Sequence, residues 1–209
     1  MAPELRDALD GHLHKVSATL LAASEIHRVA KERELEDFLP ITNASVFTAL
    51  AHLDLGVLLW DLHEYESEAD APSYWRRRLQ ARTLVLLLYE VSRRLPKVLG
   101  GDFRRAVTAI GGHDSLPALN AVHGRVTAFA AEYGSELSTL RNSVVAHRDC
   151  DASAQLEALA FDVTRVHQLG WVLFQVLAPL YDYLAALNRR ITAIAQNASA
   201  GARGPDPSA

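Results

Sequence analysis

Apolar residues recur at every third or fourth position along almost the whole chain, and the alternating pattern typical of strands is scarce. This spacing places apolar side chains on one face of an α-helix, because an α-helix makes one turn in 3.6 residues. A helical period that persists over most of a chain leaves little of it for a sheet. The sequence therefore predicts an all-α protein, built as an antiparallel helical bundle.

Prolines, glycines and residues suited to helix caps divide this pattern into segments. Pro40 is expected to end the first helix, and Thr42 or Asn43 to cap the second. Gly134 is expected to restart the chain between two helices, and Pro179 to kink or divide the last one. The predicted helices cover about residues 4–38, 43–65, 73–95, 103–110, 115–133, 136–149 and 153–195.

The chain of 209 residues, of which 49% are hydrophobic, is long enough to bury one sizeable core. It contains no internal repeat and no sign of a second domain. Its last segment, QNASAGARGPDPSA, has little apolar content to bury. We therefore expect one helical domain over residues 1–195 and a disordered tail over residues 196–209.

Several features indicate a cytoplasmic protein. The first residues, MAPELRDALDGHLHK, are too charged for a signal peptide. The longest apolar runs, such as LVLLLY at 84–89, are far shorter than a membrane span, so no membrane partner is expected. The single cysteine, Cys150, excludes an internal disulfide framework and fits a reducing compartment.

Several sequence signatures of enzymes are absent. The chain has no G-x-G-x-x-G, P-loop or G-x-S-x-G motif, and no cofactor is expected. The stretch HEYES at 63–67 lacks the second histidine of a zinc-protease helix. The HRD at 147–149 is similar to part of a protein-kinase catalytic loop, but Ala154 stands where that loop has asparagine.

Two pairs of histidines bear on metal binding. His52 and His63 lie eleven residues apart on one predicted helix, so they share a face at different levels. A metal site there would need ligands from other helices; it stays open as an alternative, and no metal is assigned. His12 and His14 lie two residues apart, point to different sides of a helix and are expected at the surface.

Positive charge is concentrated in one part of a chain whose formal net charge is −4. Between residues 74 and 105, nine positive residues stand against Glu90 and Asp102, a local balance of +7. Guanidinium groups bind phosphate oxygens in bidentate fashion, so this segment is a candidate for binding nucleic acid. The alternative is the solvated face of an amphipathic helix. The predicted RNA-binding residues are Arg76, Arg77, Arg78, Arg82 and, farther along the chain, Arg148.

The stretch LRNSVVAHRD at 140–149 contains the pattern that most directly indicates a function. Asn142 follows Arg141 at once, and His147 comes after four further small or apolar residues, the last of them Ala146. This resembles the R-(polar)-x4-H motif of HEPN domains, in the form found in HEPN proteins related to phage abortive infection. The resemblance covers the motif and the helical architecture around it.

The resemblance implies a metal-independent endoribonuclease, or an inactive relative that binds RNA, with a role as a toxin or phage-defence effector. It implies that His147 is the general acid/base, that Arg141 contacts the scissile phosphate and that Asn142 orients the site. The RNA 2′-hydroxyl would attack the adjacent phosphate and leave a cyclic phosphate. The resemblance also implies a homodimer whose motif copies face each other, and a separate antitoxin or nucleotidyltransferase partner.

The chemistry of these residue types fits the implied roles, but their spacing does not place them on one face of a helix. Histidine titrates near neutral pH, and arginine keeps a charge that suits an anionic transition state. Six positions separate Arg141 from His147, which places them about 120° apart around an ideal helix. A distorted helix end or a symmetry-related copy would have to bring them together.

Two other interpretations remain open. In the first, the protein is a non-catalytic module of the same fold that binds RNA or a protein through its arginine-rich segment. In the second, Arg141 pairs with an acid of its own bundle and His147 merely ends a helix, where a cation is favoured.

Overall fold

The computed structural model describes residues 3–64, 71–111, 115–145 and 160–201. Over these residues the chain forms helices and no strand, which confirms the predicted all-α class. One turn of 3-10 helix, Glu36–Phe38, precedes the second α-helix. The described α-helices are α1 (Pro3–Glu32), α2 (Leu39–Glu64), α3 (Ala71–Val98), α4 (Gly101–Gly111), α5 (Leu116–Val145) and α6 (Val163–Gly201).

The first break in the chain falls before Pro40 and not at it. After α1, Glu34 adopts a left-handed conformation with φ of 55°. The amide of Leu35 then donates to the carbonyl of Ala30 over 2.8 Å, which is the bond that closes a Schellman-type helix end. Pro40 lies in the first turn of α2, where a missing N–H costs nothing because it would have no intrahelical partner.

The break expected at Gly134 does not occur, and of the two outcomes expected at Pro179, a kink or a division of the helix, the division does not occur. Gly134 lies inside α5, which runs without interruption from Leu116 to Val145. Pro179 lies inside α6, and that helix continues to Gly201, so it includes the first residues of the tail expected to be disordered. In both helices the burial of a long apolar face outweighs a local propensity cost of about 1 kcal/mol for glycine and about 3 kcal/mol for proline.

The helices pack as antiparallel neighbours around α2 and α3. Contacts of His12 with His52 and of His27 with Thr42 pair the start of α1 with the middle of α2, and its end with the start of α2. α2 also packs against α3 and α6, and α3 packs against α5. Gly170 of α6 lies so close to α2 and α3 that a Cβ there would stand 2.8 Å from the Cδ2 atom of Leu59.

One large apolar cluster fills the space between the helices. The largest side chains that are fully buried in it come from α2, α3, α4, α5 and α6, so the cluster joins these five helices into one packed unit. They are Ile41, Leu55, Leu59, Leu62, Leu84, Leu88, Leu95, Phe103, Leu119, Leu137 and Leu169, together with Leu99 between α3 and α4.

By length and mean hydropathy, two stretches of helix could cross a membrane. The uninterrupted apolar runs of the sequence are too short to span one, but mean hydropathy over a longer window also counts apolar residues separated by polar ones. They are Glu36–His63 and Val163–Ile194. Within their most apolar windows, 50% and 39% of the residues are buried inside the bundle. The core helices of soluble proteins meet the same criterion, so these two stretches are weak evidence for a membrane span.

Candidate functional site

The C-terminal end of α5, where the RN-x4-H motif begins, lies against the arginine-rich half of α3. The Nη2 atom of Arg82 donates to the carbonyl oxygen of Val144 over 3.0 Å. The last carbonyls of a helix have no intrahelical partner and sit at its negative dipole end, so a guanidinium group is favoured there. Residues 62 positions apart in the sequence are thereby joined at one site.

One turn farther from this end of α5, Tyr89 of α3 lies between two arginines. Arg93 donates from Nη1 to the Tyr89 hydroxyl over 2.6 Å, and its guanidinium carbon lies 5.4 Å from the ring centroid. The guanidinium carbon of Arg141 lies 5.6 Å from the same centroid. Since a ring attracts cations over its face, Tyr89 holds one arginine from α3 and one from α5 close together.

Arg141 and Asn142, the first two residues of the motif, also contact each other. The Nη1 atom of Arg141 donates to the Oδ1 atom of Asn142 over 3.1 Å. Asn142 is exposed and Arg141 is half-buried. The interaction of Arg141 is therefore with a ring and an amide, and no acidic partner is found for it among the described residues.

The N-terminal half of α3 repeats the pairing of tyrosine with arginine. Arg78 donates from Nε to the hydroxyl of Tyr74 over 2.7 Å. Its guanidinium carbon lies 5.0 Å from the Tyr74 ring centroid and 5.5 Å from that of Phe161, just before α6. Of the other predicted arginines here, Arg76 is exposed and Arg77 is half-buried.

Not all of the positive residues between 74 and 105 are available to a ligand, because several of the later ones have local partners. Arg94 pairs with Glu90 over 2.7 Å, and Arg105 pairs with Asp102. Arg104 donates to the Oδ1 atom of Asn120 over 2.8 Å. For the residues around these two tyrosines we use one name, the arginine–aromatic face: Tyr74, Trp75, Arg76, Arg78, Leu79, Arg82, Leu86, Tyr89 and Arg93 of α3, with Arg141 and Asn142 of α5.

His147 and Arg148, the other predicted site residues, lie outside the described residues, as does Cys150. Of the predicted catalytic set, the structure therefore locates Arg141 and Asn142. It brings them beside the predicted RNA-binding residue Arg82, through the contacts of Tyr89 and Val144.

The histidines expected at the surface or at a metal site form a different arrangement. His52 is fully buried, and its Nε2 atom lies 3.3 Å from the Nε2 atom of His12. The rings of Phe174 and Tyr181 from α6 surround the pair, with centroids 4.3 Å and 5.8 Å from that of His52. His12 is thus half-buried at the junction of α1, α2 and α6, contrary to the expectation of a surface residue.

Burial sets both the tautomer and the charge of this histidine pair. The described residues offer no hydrogen-bond partner to the Nδ1 atom of His52, and a bare lone pair there costs less than a buried N–H. We therefore assign the proton to Nε2 of His52, which donates to His12. Burial, reinforced by the neighbouring His12, lowers the pKa of His52 to about 3. Burial also lowers the pKa of His12, against the opposing effect of Asp182.

A metal site on His52 and His63 has no further ligands in the described part of the chain. Among the described residues, no group of three or more histidine, cysteine, aspartate or glutamate side chains could hold a metal ion. His52 instead contacts His12, and His63 lies at the end of α2, half-buried.

Sequence reasoning missed the tyrosines of the site. Tyr74 precedes Arg78 by four positions, and Tyr89 precedes Arg93 by four, so each pair meets on one face of α3. This repeated Tyr-x3-Arg spacing was visible in the sequence. The contact of Tyr89 with Arg141 was not, because it depends on how α3 and α5 pack.

No protein-family model, no curated protein and no solved structure matches this chain. The resemblance to HEPN domains therefore stays a prediction based on the sequence motif.

Proposed function

We propose that the protein is a metal-independent endoribonuclease of the HEPN type, acting in the cytoplasm as a toxin or phage-defence effector. The observation that supports this best is the hydrogen bond from Arg82 to the carbonyl of Val144. It joins the segment predicted to bind RNA to the helix end from which His147 follows three residues later in the sequence. The segment predicted to bind phosphates thus contacts the last described turn of the helix that carries Arg141 and Asn142.

The proposed reaction uses the RNA itself as the nucleophile. His147 removes the proton from a 2′-hydroxyl, whose oxygen attacks the adjacent phosphorus, and the bond from phosphorus to the 5′-oxygen breaks. The leaving 5′-oxygen takes up the proton that the 2′-hydroxyl lost, so the products are a 2′,3′-cyclic phosphate and a 5′-hydroxyl. Arg141 stabilises the charge that develops on the phosphate oxygens, and Asn142 orients the site.

The proposal includes a homodimer. Arg141 and His147 lie about 120° apart on an ideal helix, so a symmetry-related copy is one route by which the two motifs could form a complete site. A separate antitoxin or nucleotidyltransferase partner is part of the same proposal.

The test is incubation of the purified protein with mixed cellular RNA in excess EDTA. We expect the wild type to cleave RNA and to leave cyclic phosphate ends, and His147→Ala to reduce the rate by about 10²–10⁴-fold, the usual contribution of a general acid/base. His14→Ala, which changes an exposed histidine of α1, is the matched control and should cleave normally. A folded His147→Ala protein that retains full activity would overturn the proposal.

A second candidate is a non-catalytic module that binds RNA. It is favoured by the exposure of Arg76 and by the apolar side chains beside it on α3, which suit binding without any acid/base residue. In this case the EDTA experiment gives binding without cleavage. Charge reversal at Arg76–Arg78 then weakens RNA binding, whereas His147→Ala leaves it unchanged.

A further inference from the structure

Large apolar side chains are concentrated on the solvent side of α3. Tyr74, Trp75, Leu79 and Leu86 are 51%, 53%, 61% and 42% exposed. Trp75, Leu79 and Leu86 lie at i, i+4 and i+11, so they form one stripe, and Arg82 at i+7 belongs to it. In soluble proteins, large exposed apolar patches that are rimmed by polar residues mark binding sites.

The aromatic end of this stripe is held in place. The Tyr74 and Trp75 rings make an edge-to-face contact, with centroids 5.3 Å apart and planes at 79°. Tyr74 is itself fixed by its hydrogen bond with Arg78. An indole held by a neighbouring ring, with over half of its surface open to solvent, loses little conformational entropy when a flat ligand stacks on it.

The charge around the stripe identifies the kind of ligand. Arg82 and Arg93 lie on the stripe, Arg76 directly follows Trp75 in the sequence, and Arg141 contacts Tyr89 of the same helix. The nearby Glu90 is already paired with Arg94. The chain as a whole has a formal charge of −4, so attraction of a polyanion must come from a local surface such as this one. Rings for stacking combined with arginines for phosphates are the features that bind single-stranded nucleic acid.

We propose that the arginine–aromatic face binds single-stranded RNA, with a base stacked on Trp75 and the backbone running along α3 towards Arg82. This deepens the proposed function, on which the choice of RNA as the ligand rests. Duplex RNA is excluded from this mode because its bases are stacked inside the helix and are not free to meet an indole. Trp75 and Arg82 are about 10 Å apart along the helix axis, roughly the length of three stacked nucleotides.

The test measures quenching of tryptophan fluorescence by a single-stranded 2′-O-methyl RNA. This probe cannot be cleaved by its own 2′-oxygen, so binding is measured whether or not the protein is a nuclease. Trp75 is the exposed tryptophan, whereas Trp60 and Trp171 are half-buried. We expect quenching by the single strand, and much weaker binding of a duplex with the same sequence.

Substitution of Trp75 then tests the residue itself, with affinities measured by fluorescence anisotropy of a labelled strand. Trp75→Ala should bind about 5- to 140-fold more weakly, the loss expected for one stacked base, and Trp75→Phe should retain most of the affinity. Leu21→Ala, which removes an exposed apolar side chain of α1, is the matched control and should bind as the wild type does.

Three outcomes of the binding and sedimentation measurements would overturn the inference, and so would one outcome of the cleavage experiment. Trp75→Ala could bind within about twofold of the wild type. Duplex RNA could bind as tightly as the single strand. Trp75→Ala could instead convert a dimer to a monomer in sedimentation, which would show that a second copy covers the stripe. Cleavage of single-stranded and duplex RNA at equal rates would remove this inference and leave the proposed nuclease standing. Binding of the single strand without cleavage would remove the proposed nuclease and leave this inference standing.

Discussion

The histidine pair and the arginine–aromatic face both combine rings with nitrogen bases, yet their surroundings give them opposite properties. His12 and His52 lie among aromatic rings from α6, where burial lowers the pKa of His52 to about 3 and keeps the pair neutral. Arg82, Arg93 and Arg141 lie against a tyrosine or a helix end but remain partly open to solvent. Guanidinium keeps its charge in either setting, whereas imidazole does not.

This difference separates the part of the molecule that stabilises the fold from the part available for a ligand. A neutral histidine pair contributes to the packing of α1 on α2 and α6, and charging it would oppose that packing. The exposed arginines contribute little to stability, because partly hydrated cations gain only modest energy from nearby groups. We therefore expect mutations in the two regions to affect different measurements.

The largest expected effect is a loss of stability in mild acid. The unfolded chain binds protons on His12 and His52 below about pH 6.5, but the folded protein does so only at lower pH, because burial lowers both pKa values. The contribution of the neutral histidine pair to the free energy of unfolding is therefore fully present above pH 6.5. It is lost as the pH decreases from there towards about 3. Between pH 7.5 and 5, we expect a loss of about 2 kcal/mol from His52 alone.

Urea unfolding of the wild type and of His52→Leu at pH 7.5, 6.5 and 5 measures this effect. The slope of stability against pH should be clearly smaller in His52→Leu, and unchanged in the surface variant His14→Leu. Burial raises the pKa values of Asp54 and Asp61, so their protonation at lower pH favours the folded state and opposes the effect of the histidines. Both residues are present in every variant, so they do not affect the comparison. Equal slopes in all three proteins would show that the histidine pair is not sealed from water.

A second test compares close packing in the core with open space on α5. A Cβ at Gly170 would stand 2.8 Å from Leu59 and 3.1 Å from Leu84, both fully buried. Gly170→Ala should therefore cost about 1–2 kcal/mol, because overpacking exceeds the gain in helix propensity. Gly134→Ala, with no atom within 4 Å of its Cβ, should stabilise by about 0.5–1 kcal/mol.

Thermal unfolding of both glycine variants distinguishes these outcomes by sign. A stabilising Gly170→Ala would mean that α6 packs less closely on α2 and α3 than described. A destabilising Gly134→Ala would mean that α5 is not continuous through that position.

The smallest expected change in stability is at the arginine–aromatic face. Arg82→Ala removes the hydrogen bond to the carbonyl of Val144 and should cost about 1 kcal/mol. Arg76→Ala, an exposed neighbour on the same helix, should change stability by less than about 0.5 kcal/mol. Chemical denaturation of the two variants side by side measures the difference, and equal stabilities would show that Arg82 does not cap α5 in solution.

Much of the fold was predictable from the sequence, and part of the site was. The 3.6-residue period predicted the all-α class, and the arginines of 76–82 were located as one helical segment. The break at Gly134 was predicted wrongly, and the helix is not divided at Pro179, because those rules describe local preference and not the burial of a long helix face. The end of α1 was missed because Glu34, which adopts the left-handed conformation, is not a residue that signals it.

The sequence by itself determined the helical period, the concentration of positive charge and the order of Arg141 and Asn142 along one helix. These depend on residue type and spacing over a few turns, which the chain contains directly. Only the tertiary structure decided that Arg82 meets the end of α5, that Tyr89 meets Arg141 and that His12 meets His52. Each of these contacts joins residues 40 or more positions apart, and such pairs are set by which helix faces pack together, not by the local pattern of either segment.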